Sequence, residues 1–218
     1  MPELAEVLFA TKAWEKGKGH KILKVETKNA SRVFRELDPG LVKRTLKGSS
    51  LQGSETHGKK MLFRFSGEKW LGLHLGMTGW LFDEDSAYPT AKHDALVLRQ
   101  ADRTLVFRDP RQFGRVLCHK GKDAPEWWSN LPPEVHSDAF ILELVRDVLQ
   151  RRKRALVKAV LLMQEFFPGI GNWMVGEIFW RARIHSAERA GTLSPAKQNT
   201  LWEQTRFVTN GALETVGT

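Results

Sequence analysis

Hydrophobic positions fall at helical spacing over Leu4 to Lys16, and the pattern then changes to short runs that alternate apolar and polar residues. The segments KILKVETK and LVKRTLKGSSLQGSETHGKKMLFRF read as strands with Gly and Ser turns between them. Met61, Phe63 and Phe65 alternate with Leu62 and Arg64, and a period of two recurs in WLGLHLGMTGW. Further strands are predicted over His93 to Arg99 and Thr104 to Arg108. Several short strands at this spacing predict an all-β sandwich or barrel-like first domain behind one helix.

The alternation breaks over Lys120 to Glu134, where KGKDAPEWWSNLPPE gathers glycine, prolines and polar residues in the manner of a linker. Beyond it, Phe140, Ile141, Leu144, Val145, Val148 and Leu149 sit three and four apart, with Ser137 and Asp138 placed to cap the start. This amphipathic helix runs toward the basic cluster Arg151, Arg152, Lys153 and Arg154, after which Ala155 to Gln164 resumes an apolar helical pattern. The expected division is a sandwich domain over 1–125 and a helical domain over 134–218.

Composition narrows the partners. Lys and Arg total 34 against 25 Asp and Glu, a formal charge of +9. Such an excess suits a polyanion, because each cation that neutralises a phosphate releases a condensed counterion. No run approaches the length of a membrane span and the first residues lack the order of a signal peptide, so a cytoplasmic, nucleoid-associated monomer without membrane contact is expected. A single cysteine, Cys118, excludes an internal disulfide and a four-thiolate zinc site within these 218 residues.

Three constellations could carry chemistry. The first is Pro2, Glu3 and Glu6. Removal of Met1 would expose the Pro2 ring nitrogen as a secondary amine, and α-amino groups titrate near ~8, leaving a neutral fraction able to attack an electrophilic sugar carbon. Condensation at C1′ would give an iminium with no proton on nitrogen to lose, which acidifies the C2′ hydrogens for elimination, and Glu3 beside it could donate or shuttle a proton. The same pair also reads as a plain helix start, with proline at the first position and acid in the first turn.

The second is Gly169-Ile170-Gly171-Asn172 ahead of WMVGEIFWRARI. Its glycines permit a tight turn, and Asn172 is placed to cap a helix whose free amides would suit a phosphate; a simple helix–helix turn is the alternative. The third comprises Lys59, His74, Met77, Arg111 and Phe113. Met77 lies in a Gly76-to-Gly79 turn and Phe113 follows Asp109-Pro110-Arg111-Gln112, so both could project as wedges that hold open a base stack after a nucleotide is flipped. Their ordinary readings are core packing for Met77 and Phe113, a solvated strand histidine for His74 and a surface charge for Lys59.

Together these motifs resemble the formamidopyrimidine-DNA glycosylase and endonuclease VIII family along the whole chain and in the family's order. PELAEV is similar to its N-terminal signature, HLGMTG to its first intercalation loop, RDPRQFG to its second, and ALVKAVLLMQEFFPGIGNWMVGEIFWRARI to its helix-two-turn-helix. The resemblance implies an α+β fold, an N-terminal two-layered β-sandwich with an N-terminal helix followed by a helix-two-turn-helix domain. It implies a bifunctional glycosylase and AP lyase of base excision repair, acting on double-stranded DNA with a lesion or abasic site. Pro2 would be the nucleophile and Glu3 the acid that assists opening of the deoxyribose ring, with Glu6 a further acidic position. Lys59, His74 and Asn172 with Gly171 would meet phosphates near the lesion, and Lys158 matches a basic position ahead of the turn. Met77, Arg111 and Phe113 would fill the gap left by the flipped nucleotide, with Arg111 on the orphaned base, a set closer to the branch that removes oxidised purines.

Three departures stand out. Ala5 replaces a second proline of the signature and reads as a tolerated surface change, while Gln112 occupies a position usually basic. The chain ends at Thr218, about where a lesion-capping loop and a zinc-finger hairpin would begin, so no cofactor is expected and the chain reads as truncated or as a natural short form. That departure keeps a second reading open, a noncatalytic damaged-DNA- or DNA-structure-binding protein; a third, a general basic RNA-binding protein, leaves the ordered motifs unexplained.

Overall fold

The computed structural model describes residues 1–215 and falls into two compact units. The first comprises Met1–Pro2 and Glu6–Asn130; the second joins Glu3–Ala5 to the chain from Leu131 onward.

In the first unit, helix α1 (Leu4–Glu15) is followed by β1 (Lys24–Thr27), a 3-10 turn (Arg32–Phe34), α2 (Pro39–Leu46), β2 (Leu51–His57), β3 (Lys60–Phe65), β4 (Lys69–His74), β5 (Trp80–Asp85), β6 (Asp94–Arg99), β7 (Arg103–Arg108), β8 (Arg115–Lys120) and the short α3 (Glu126–Ser129). The strands form two antiparallel four-stranded sheets, ordered β1-β6-β7-β5 and β2-β3-β4-β8. One core joins them: Phe63, Phe65, Leu71 and Leu73 from one sheet cluster with Leu96, Leu98, Leu105 and Phe107 from the other. Helix α1 adds Val7, Ala10 and Trp14 to that core. The Trp14 ring lies 4.8 Å from that of Phe63, and its indole N–H donates to the Val106 carbonyl at 3.3 Å. Burying such a ring contributes on the order of 2–3 kcal/mol, which fixes the helix that carries the N-terminal motif.

Three expectations change, two in this unit and one at Ala5 in the second. The segment after Leu41 begins as helix α2, because Asp38 caps it by accepting the Gly40 N–H at 2.9 Å and Pro39 occupies its first turn, while Val42 and Leu46, four apart, turn to the core. The expected linker is partly helical, since α3 places Trp127 against Gly72 of β4, where a Cβ would strike the indole. Ala5 is also no surface position: it is buried.

The second unit contains α4 (Leu142–Arg151), α5 (Val157–Leu161), α6 (Asn172–Ala182), a 3-10 turn (Ala190–Thr192) and α7 (Pro195–Thr215). Its core gathers Leu4, Val145, Val148, Val160, Leu161, Phe167, Ile170, Met174, Ile178 and Leu201. Ser137 and Asp138 do not cap α4; Ile141 holds that position without a side-chain bond, while the Ser137 hydroxyl donates back to the Glu134 carbonyl at 2.7 Å. Among the described residues, no helix is long and apolar enough to cross a membrane.

Candidate functional site

Helix α6 begins after Gly171, which takes the N-cap place that the sequence assigned to Asn172. Its first amides are occupied by an anion from the chain itself. One carboxylate oxygen of Glu3 accepts the N–H groups of Gly171 at 2.9 Å and Met174 at 3.2 Å, and the other accepts that of Trp173 at 3.0 Å. The phosphate expected on these amides is therefore replaced by Glu3, which is 3% exposed. The positive end of the helix dipole and three N–H donors suit a carboxylate, each charge-assisted bond contributing on the order of 1.5–3 kcal/mol. Gly171 is required by this approach, since a Cβ there would run into the Glu3 carboxyl. The next residue is held too, with the Leu4 N–H donating to the Gly169 carbonyl at 3.2 Å.

The loop between α5 and α6 is braced by Gln164, a residue whose role no sequence motif announces. Gln164 donates from Nε2 to the carbonyls of Leu162 at 3.0 Å and Ile170 at 2.9 Å, and its Oε1 accepts the Gly169 N–H at 3.1 Å. Asn172 is exposed on the first turn of α6, and Lys158 is exposed on α5.

In the first unit, Pro2 is half-buried and Glu6 lies in the first turn of α1. Lys59, in the turn between β2 and β3, is 5% exposed, which overturns its reading as a solvated charge. His74 ends β4 opposite Lys60 on one side and Arg115 on the other. It is half-buried rather than solvated, and its Nδ1 accepts the Gly76 N–H at 3.0 Å. Burial first, then the charges of Arg115, Lys59, Lys60 and Arg35, push its pKa down to about 4. At neutral pH this is an uncharged imidazole with its proton on Nε2, a donor without a charge.

Two loops carry the expected wedges. Met77 and Phe113 are each 44% exposed, and the Arg111 guanidinium lies 4.8 Å from the centre of the Phe113 ring. Both loops are tied to Asp109, itself buried: one carboxylate oxygen accepts the Thr78 hydroxyl at 3.0 Å, and the other accepts the Gly114 N–H at 2.7 Å. Gly76, at φ +66°, has no room for a Cβ against the Phe113–Gly114 backbone. Gln112 adopts φ +57° and accepts the Arg32 N–H at 2.9 Å, so the residue at the usually basic position spends its side chain on holding the loop. Sequence reasoning passed over Asp109 and Thr78; an acid and a hydroxyl in loops 31 residues apart give no local sign of meeting. Among the described residues, no three His, Cys, Asp or Glu side chains are grouped to hold a metal.

Comparison with known proteins agrees with this fold. The family model described as the formamidopyrimidine-DNA glycosylase N-terminal domain matches residues 1–116, and that described as the formamidopyrimidine-DNA glycosylase H2TH domain matches residues 131–218. A formamidopyrimidine-DNA glycosylase from Roseiflexus is 36% identical over all of this chain and 80% of its own length, and one from Symbiobacterium thermophilum is 33% identical over all of this chain and 72% of its own. Among solved structures, the Lactococcus lactis enzyme bound non-covalently to DNA containing an AP site superposes with a TM-score of 0.90 at 27% identity, covering 99% of this chain and 83% of that one. MutM in complex with DNA containing carbocyclic 8-oxo-G gives 0.90 at 28% identity, covering 100% and 82%. The chain belongs to the formamidopyrimidine-DNA glycosylase family, whose members are DNA glycosylases of DNA repair.

Proposed function

We propose that this protein is a bifunctional DNA glycosylase and AP lyase that removes oxidised purines from double-stranded DNA. The observation that carries the reading is the Glu3 carboxylate fixed on three amides of α6, directly after the residue whose nitrogen would react. Once Met1 is removed, the Pro2 nitrogen attacks C1′ of the damaged nucleotide and gives up its proton. The bond from C1′ to the base breaks, its electron pair leaving with the base, which takes up a proton. Opening of the sugar ring sends the C1′–O4′ pair to O4′, which is protonated with the help of Glu3, and leaves a Pro2–C1′ iminium. Loss of a C2′ proton expels the 3′ phosphate, loss of the C4′ proton expels the 5′ phosphate, and water hydrolyses the remaining Pro2–C1′ iminium to free the amine. All of these steps use groups of the chain and water, with no cofactor.

Lys59, His74, Asn172 and Lys158 would meet phosphates around the lesion, His74 as a neutral donor. Met77 and Phe113 would fill the gap, and Arg111 would bond the base opposite. The oxidised-purine preference rests on that wedge set and on the formamidopyrimidine in the names of the relatives; solved relatives hold DNA containing 8-oxo-G in one structure and an oxidised pyrimidine in another. The test is incision of duplexes carrying an oxidised purine, an oxidised pyrimidine or an abasic site by protein lacking Met1. Cleavage of the purine and abasic duplexes is expected. Tight binding of all three without cleavage would favour a noncatalytic damage-binding protein instead.

A further inference from the structure

The Gln164 side chain is attached to the peptide that holds Glu3. The Ile170 carbonyl and the Gly171 N–H belong to one peptide unit. Gln164 Nε2 donates to that carbonyl at 2.9 Å, and the N–H on the other side of the same unit donates to Glu3 at 2.9 Å. A donor on the carbonyl polarises the amide and strengthens the bond that the N–H makes. The second half of the brace works on the adjacent residue: Gln164 Oε1 accepts the Gly169 N–H at 3.1 Å, and the Gly169 carbonyl accepts the Leu4 N–H at 3.2 Å. One amide side chain thus clamps both loop residues that grip the N-terminal segment, on either side of the Glu3–Leu4 bond.

We infer that Gln164 is a positioning residue for the proposed reaction, setting the place of the Glu3 carboxylate by way of the Ile170–Gly171 peptide. The inference rests on the proposed function for its catalytic consequence, and on the second unit alone for its structural one. Few other residue types would serve. The brace needs two N–H bonds and one acceptor from a single side chain of this length, so Gln164→Met removes all three, whereas Gln164→Glu keeps the acceptor for Gly169 and loses both donors.

The test compares Gln164→Met, Gln164→Glu and the unrelated core variant Val148→Ala, all lacking Met1. Three quantities are read: the single-turnover rate constant for borohydride-trapped adduct on an abasic-site duplex, the Kd for that duplex, and hydrogen exchange at the amides of Gly169 and Gly171. Misplacement of a reacting group costs about 10- to 100-fold in rate, and this loss is expected in both Gln164 variants while Kd stays within about threefold. Exchange at Gly171 should quicken in both, and at Gly169 in Gln164→Met alone. Val148→Ala, which lowers Tm through a core cavity, should move the rate less than about twofold. Rates in the Gln164 variants within about twofold of the parent, or an equal loss in Val148→Ala, would overturn the inference. Should the parent form no adduct, it is the proposed function that fails. Exchange then decides the brace by itself: unchanged protection of Gly171 in Gln164→Met overturns it, and quickened exchange upholds it.

Discussion

Glu3 commits both carboxylate oxygens to the start of α6, so its orientation is fixed. In Glu3→Gln, the amide nitrogen must face at least one backbone N–H, leaving a buried donor unmatched at a cost of about 1–3 kcal/mol. Adduct formation should fall by about 100-fold or more, as expected when a positioned proton carrier is lost, and calorimetry should show a lower Tm. A variant that forms adduct at the parental rate would remove Glu3 from the chemistry. His74 gives a second residue-level prediction. Its pKa is about 4 in the folded protein against 6.5 ordinarily, so between these values the unfolded chain binds the extra proton. Its contribution to stability is therefore whole above pH 6.5 and lost as pH falls toward 4, amounting to at most roughly 3 kcal/mol. Glu26, held near 2 chiefly by its bond to Arg99, contributes above pH 4.5 and is lost toward pH 2. Denaturant unfolding of His74→Gln should show a flatter fall between pH 6.5 and 4, with the steeper loss at lower pH intact. A parental slope in that window would contradict the assignment.

At the level of elements, the wedge loops behave as a pair because Asp109 joins them. Thr78→Val removes the hydroxyl tie while leaving the loop's shape, and a lost hydrogen bond of about 0.5–1.5 kcal/mol predicts a 2- to 10-fold drop in the ratio of lesion to undamaged-duplex affinity. An unchanged ratio accompanied by a lower Tm would reduce the tie to simple stability. The elements themselves were unequally legible in the sequence. The four interior strands β3, β4, β6 and β7 each carry a run of buried apolar residues that marks them in the sequence. Edge strands β5 and β8 were not foreseen, since Phe82-Asp83-Glu84-Asp85 and Cys118-His119-Lys120 carry mostly polar or half-buried side chains. Helix α2 reads as a strand because its Leu, Val and Thr residues mimic one, and the decisive signal for a helix is the Asp38–Pro39 start. The PELAEV motif pointed to Pro2 and Glu3, but the partners of Glu3 lie 168 to 171 residues away, a separation that no local pattern reports.

Over the whole molecule, the excess of nine positive charges predicts DNA binding that weakens steeply with salt. Individual contacts should separate by charge. Lys158→Ala should lower the slope of log K against log salt by about 1, whereas Asn172→Ala should weaken binding with the slope unchanged. Equal slopes in parent and Lys158→Ala would take Lys158 out of the phosphate contacts. The chain also divides its proposed functions between units: the nucleophile, Lys59, His74 and the wedges belong to the first, and Glu3, its amide cradle and Asn172 to the second. The central claim is that a secondary amine at position 2 attacks the sugar. It is tested most directly by reducing the reaction of Met1-free protein with an abasic-site duplex using borohydride, then mapping the adduct by peptide mass spectrometry. A stable adduct on the N-terminal peptide, with the mass placed on Pro2, is the predicted result. An adduct on a lysine, or none from protein that binds the duplex, would contradict it.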